Sequence, residues 1–135
     1  ISHYESALAD IEAPELHRRS VYRFIVRSQQ QPFLAALDCA DPSMSVDRRN
    51  QSLSPLQALA LRNDRLTVAM SKHFAQRCES AGSDLAAKVK LAVRLALARD
   101  PGEGELAALT AYASEHGLAN ACRVLFNLNE FVFVD

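Results

Sequence analysis

The chain has 135 residues, of which 49% are hydrophobic and 23% are charged, and its formal net charge is -1. This length and composition fit one ordinary globular domain with its own core, and the balanced charge gives no reason to expect nucleic acid as a partner. No run of eighteen apolar residues is present, so no membrane span is predicted.

The first predicted elements are short. Residues 4–12 predict a helix that ends before Pro14. The segment 20–27 (SVYRFIVR) is ambiguous, because its β-branched and aromatic side chains favour a strand whereas its arginines, spaced by four, would form one charged stripe on a helix. We favour the strand, and we expect it to pair with 131–134, because a lone strand leaves its backbone groups unsatisfied. Residues 32–38 predict one or two helical turns that begin at a proline.

The longest irregular segment of the chain follows, and it is the strongest candidate for a functional site. Asp38 and Asp41 are its candidate catalytic residues, because paired carboxylates can act as general acid and base. Asp47 adds a carboxylate that could help to hold calcium, but the spacing matches no known calcium loop. Arg48 and Arg49 could bind an anion or pair with the aspartates. The alternative is that all of these side chains serve turns and helix caps.

A capping box predicts where the first longer helix begins. Ser54 is the predicted N-cap, a proline takes the first helical position, and Gln57 stands three residues after the cap. Asn63 and Asp64 either interrupt this helix or cap a second one that runs from Arg65 to Ala81. The same two residues are candidates for ligand or anion binding.

Three more helices complete the prediction. Ser83 or Asp84 caps a helix with apolar residues on most of its sides, which is typical of a central helix. Asp100 is the predicted cap of a helix over 103–116, and a last helix runs over about 118–129. We therefore predict a mostly α fold, a compact orthogonal bundle of five or six helices, with at most one short β pair between 20–27 and 131–134.

The remaining polar and thiol side chains suggest little chemistry. Asn127 and Asn129, near the C-terminus, are candidates for a hydrogen-bonded ligand site, with local helix capping as the alternative. Cys39, Cys78 and Cys122 form no Cys-x-x-Cys motif, and their disulfide state is left open. Because no metal-ligand spacing, phosphate loop or nucleophile motif is visible, we predict no metal and no cofactor within the chain.

Several segments together resemble one known domain. They are RRSVYRFIVR (18–27), LDCADPS (37–43), the stretch 49–64, LARDPGEGEL (97–106) and LFNLNEFVFVD (125–135). In this order they resemble the C-terminal half of the PSD-type domain, a domain of unknown function in large planctomycete proteins. There it usually follows cytochrome-c-like modules. The resemblance implies an exported or periplasmic parent protein and offers no catalytic residues to carry over.

These observations lead to one expected function and one alternative. We expect residues 1–135 to be a single helical domain, a fragment of a larger multidomain protein, acting as a non-catalytic structural or interaction module. Its expected partners are other domains of the same polypeptide, including the missing N-terminal half of the domain, and haem is expected only in other modules. The alternative is half of the active site of a hydrolase or oxidoreductase acting on complex carbohydrate, with its acids in the 38–49 loop.

Overall fold

The computed structural model of the chain describes residues 12–13, 19, 22, 32–41, 44–48, 52 and 54–133. These residues contain seven α-helices and no strand, so the prediction of a mostly α fold is confirmed. The chain divides into two compact units, residues 1–60 and 61–135. The single domain over 1–135 stays a prediction.

In the first unit the described helices are α1 (Pro32–Ala36) and the start of α2 (Pro55–Asn63). The predicted capping box is confirmed: the Gln57 N–H donates to the Ser54 hydroxyl at 3.2 Å, and the Ser54 N–H donates to the Gln57 side-chain oxygen at 3.3 Å. Two backbone donors at the helix start are thereby satisfied, which is the reason why this pattern marks a helix start.

The predicted strand over 20–27 falls almost entirely outside the described residues. Tyr22 is its one described member; it has 3₁₀ geometry, and its N–H donates to the Arg19 carbonyl at 3.0 Å. Apart from Glu12, the helix predicted over 4–12 also lies outside the described residues.

The second unit is a helical bundle in which one helix is central. Its elements are α3 (Arg65–Cys78) with a 3₁₀ turn (Glu79–Ala81), α4 (Leu85–Leu97), α5 (Glu103–His116), α6 (Leu118–Leu125) and α7 (Asn129–Val132). Helix α4 contacts α3, α5, α6 and α7, as its apolar residues on most sides predicted.

The core of this bundle combines small and branched side chains. Leu125, Val89, Val93, Cys78 and Cys122 are its largest fully buried side chains. Several alanines lie among them, which lets the helices approach closely. Burial of this apolar surface is the main favourable term for the bundle, at roughly 25 cal/mol per Å².

The helix starts in this unit follow the capping prediction with one correction. Asp64 caps α3 by accepting from the Leu66 N–H at 2.8 Å, and Asp84 caps α4 by accepting from two N–H groups at 3.2 and 3.3 Å. Asp100 was predicted to cap α5, and that prediction is wrong. The N-cap is Gly102, whose N–H donates to the Glu105 carboxylate at 3.2 Å, while Asp100 pairs with Arg94 at 2.7 Å.

The predicted strand over 131–134 is corrected at its first two residues, and residue 134 lies outside the described residues. Phe131 and Val132 lie in α7, and their N–H groups donate to the Leu128 carbonyl at 2.9 and 3.1 Å. The Phe131 ring packs against Phe126 with 5.0 Å between ring centroids. The alternating apolar residues of this segment favoured a strand. Local backbone hydrogen bonds and the ring contact stabilise a helical turn there instead.

Candidate functional site

Asp38, the first candidate acid, lies at the centre of a hydrogen-bonded cluster in the first unit. Its carboxylate accepts from the Ser52 N–H at 2.6 Å, from the Ser52 hydroxyl at 2.8 and 3.0 Å, and from the Gln57 side-chain amide at 2.9 Å. The same amide also donates to the Ser52 hydroxyl at 2.9 Å. We call Asp38, Ser52 and Gln57 the Asp38 cluster.

The backbone explains why an aspartate stands at this position. Asp38 lies two residues after the end of α1 and has a φ of +57°. The N–H groups of Asp38 and Cys39 donate back to carbonyls of the helix at 3.2 and 2.9 Å. Among non-glycine residues, aspartate and asparagine enter this left-handed region most readily. The carboxylate then reaches across the loop to the start of α2, so the Asp38 cluster joins the end of one helix to the start of the next.

The other residues of the predicted site take different places. Asp41 is half-buried, and its backbone carbonyl accepts from the Met44 N–H at 3.2 Å. Asp47 and Arg48 are exposed, and Arg49 lies outside the described residues. The part of the chain that the structure describes holds no group of three or more side chains arranged to bind a metal ion.

The remaining candidates lie at helix ends of the second unit. Asn63 is the exposed last residue of α2, and Asp64 is the N-cap of α3. After α6 the Asn127 N–H donates to the Val124 carbonyl at 3.0 Å, and Asn129 is the exposed first residue of α7. Among them the Asp64 side chain serves as a helix cap, and Asn127 contributes a backbone N–H to a turn. Ligand binding by these residues stays a prediction.

An ion-pair cluster in the second unit was missed by sequence reasoning. The Arg99 guanidinium donates to both oxygens of Glu105 at 2.8 and 3.0 Å and to both oxygens of Glu130 at 2.7 and 2.8 Å. These hydrogen bonds lower the pKa of both carboxyl groups and raise the pKa of the guanidinium. The position of Glu105 in the first turn of α5 was a usable signal, whereas nothing local marks Glu130.

Apolar side chains lie exposed in both units. In the first unit α2 buries a polar side chain and exposes apolar ones. Gln57 has 8% of its surface exposed, whereas Leu56 and Leu59 are exposed by 63% and 56%. Nearby in sequence, Met44 and Val46 are exposed as well. In the second unit an open groove between α4 and α7 is lined in part by Leu97, Phe131 and Phe133.

None of the helices in the described part of the chain reaches the length and hydrophobicity that a transmembrane helix needs.

Comparison with known protein families shows a match over most of the chain. The family model of PSD1, described as a protein of unknown function (DUF1553), matches residues 3–113. The match includes the whole Asp38 cluster and ends inside α5, so the segment 125–135 lies beyond it. No curated protein and no solved structure matches the chain.

Proposed function

We propose a function for this chain, which belongs to the PSD1 family of proteins of unknown function: it is a non-catalytic structural or interaction module. We further propose that the parent protein is exported and carries cytochrome-c-like modules. The partner of the module is then another domain of the same polypeptide.

The proposal rests on the hydrogen bonds that the Asp38 carboxylate accepts. Its carboxylate accepts from three donor groups of Ser52 and Gln57, which join the end of α1 to the start of α2. A general acid or base must instead offer its carboxylate to a substrate within hydrogen-bond reach. The first candidate acid of the chain therefore has a structural role between the end of α1 and the start of α2.

The exposed leucines of α2 support an interaction role. Leu56 and Leu59 are three positions apart and so lie on one face of the helix. Each would contribute about 1.5–3 kcal/mol if a partner buried it fully. An apolar pair of this kind next to the buried Gln57 suits a helix that packs against another domain.

The binding experiment uses the rest of the parent polypeptide, produced separately, as the titrant in calorimetry. The double variant Leu56→Glu/Leu59→Glu is expected to bind at least about tenfold more weakly, because each tenfold corresponds to about 1.4 kcal/mol. The control is Ala58→Glu, which places one such charge on another exposed face of α2. Equal affinity of the double variant and the control would exclude this face as the interaction surface.

The enzymatic alternative is tested separately. The purified chain, alone and together with the preceding part of the polypeptide, is offered complex carbohydrates and a redox dye. We expect no turnover, and turnover that disappears in Asp38→Asn but persists in Asp47→Asn would establish the alternative. The exported, haem-associated setting rests on the resemblance of the motifs, and a haem stain of the secreted full-length protein tests it.

A further inference from the structure

Two cysteines meet in the core of the second unit. Cys78 is the last residue of α3 and Cys122 lies within α6, and both have 0% of their surface exposed. Both belong to one core cluster, in which α3 packs against α6. The third cysteine, Cys39, is exposed and belongs to the first unit.

We propose that Cys78 and Cys122 form a disulfide that links α3 to α6 when the chain folds in the presence of a disulfide oxidant. The proposal is independent of the interaction role described above. It concerns the covalent state of the bundle core, whereas the proposed partner surface lies on α2.

The packing favours this pairing because both cysteines are fully buried within one core cluster. A disulfide requires Cα atoms about 4.4–6.8 Å apart and sulfur atoms about 2 Å apart. The helices α3 and α6 pack directly against each other, and the small side chains Ala75 and Ala92 lie in the same cluster. A disulfide between the two cysteines would therefore join helices that already pack against each other.

The chemical step is an exchange with a small disulfide such as oxidised glutathione. One cysteine thiolate attacks a sulfur of glutathione disulfide, which forms a mixed disulfide and releases one glutathione thiolate. The second cysteine thiolate attacks the protein sulfur of the mixed disulfide and releases the second glutathione thiolate. The two protons of the cysteines pass to the two released thiolates, so the protein is oxidised by two electrons and the glutathione disulfide is reduced by two.

Burial determines when this step occurs. Desolvation raises the pKa of both thiols, that of Cys122 to about 12. Since the thiolate is the attacking species, the folded dithiol is a poor nucleophile and is also closed to glutathione. The disulfide therefore forms during folding, before the core closes, and a chain that has folded with both thiols reduced is oxidised slowly.

The test uses a Cys39→Ser chain, which keeps the pair and removes the exposed thiol. The denatured, reduced chain is refolded in a mixture of oxidised and reduced glutathione, alkylated and digested with trypsin. We expect a disulfide-linked peptide pair, 78–88 with 100–123, since cleavage follows Arg77, Lys88, Arg99 and Arg123. Recovery of both peptides in alkylated form would overturn the proposal.

A second measurement, the melting temperature, shows whether the disulfide stabilises the native bundle. The oxidised chain is expected to melt on the order of 10 °C above the reduced one, because the bond restricts the unfolded chain over a loop of more than forty residues. The triple variant Cys39→Ser/Cys78→Ala/Cys122→Ala should melt at one temperature with and without oxidant. An oxidised chain that melts at or below the reduced one would show that the bond does not fit the native bundle.

Discussion

The Arg99 guanidinium binds both oxygens of the Glu130 carboxylate, at 2.7 and 2.8 Å, although the two residues are 31 positions apart. The same guanidinium binds Glu105 in the first turn of α5. Because Glu105 also accepts from the Gly102 N–H, the start of α5 is tied to the loop after α4 and to α7. We call Arg99, Glu105 and Glu130 the Arg99 cluster. It connects the loop after α4, the start of α5 and α7.

A first prediction concerns the pH dependence of this cluster. Hydrogen bonds from Arg99 lower the pKa of Glu105 and of Glu130 in the folded chain. A carboxyl group with a depressed folded pKa contributes stability above its unfolded pKa, about 4.3, and that contribution is lost as the pH falls through the folded value. We expect the melting temperature to fall below about pH 5, and Arg99→Gln to reduce this fall.

The measurements are melting curves between neutral and acidic pH and an NMR titration of the two carboxyl groups. The control is Arg62→Gln, which removes an exposed arginine of α2. Because the cluster is partly exposed, high salt should also weaken the effect. Unchanged carboxyl pKa values in Arg99→Gln would contradict the assignment.

A second prediction concerns the Asp38 cluster. In Asp38→Asn one acceptor oxygen becomes an N–H donor that faces the donors of Ser52 and Gln57. We expect a loss of about 1–2 kcal/mol in the free energy of unfolding, measured by urea denaturation. Asp47→Asn makes the same chemical change at an exposed position, and its effect should stay within about 0.5 kcal/mol. Two variants of equal stability would show that the cluster does not hold the loop.

Local chemistry explains which parts of this fold were predictable. Helix starts depend on a few adjacent residues, so Ser54 could be identified as a cap from the sequence. Asp64 and Asp84 were each predicted only as one of two possibilities, and the structure shows both as caps. The start of α5 was predicted correctly, but its N-cap was not, because Pro101 and the acids around it allow more than one cap. Only the structure shows that Arg94 binds Asp100. Apolar alternation at the C-terminus favoured a strand, but contact between Phe126 and Phe131 accompanies a helical turn there.

Residues that are distant in sequence explain what could not be predicted of the candidate site. The acids of the 38–49 loop were identified, yet the role of Asp38 depends on Gln57, 19 positions away. The residue Gln57 was recognised only as part of a capping box, although its side chain also completes the Asp38 cluster. Similarly, no local signal pairs Glu130 with Arg99 or Cys78 with Cys122, because each contact is created by helix packing.

A third prediction concerns the core of the second unit. Leu125 has 1% of its surface exposed and belongs to the central cluster. Its replacement by alanine leaves a cavity, and we expect a loss of about 3 kcal/mol in the free energy of unfolding. Leu95 on α4 is exposed by 41%, so Leu95→Ala should cost about 1 kcal/mol or less. Urea denaturation of both variants measures the difference, and similar losses would contradict the described burial.

A fourth prediction uses the backbone at the end of α4. Ala98 has a φ of +55°, and its N–H donates to the Arg94 carbonyl at 3.0 Å. Because the left-handed conformation costs a residue with a Cβ about 1–2 kcal/mol, glycine is the preferred residue at such a helix end. We therefore expect Ala98→Gly to raise the free energy of unfolding by about 1 kcal/mol, after the larger backbone entropy of unfolded glycine is subtracted. The control is Ala107→Gly in the interior of α5, which should lower it by about the same amount. If both glycines destabilise the chain equally, the end of α4 does not have the left-handed conformation described.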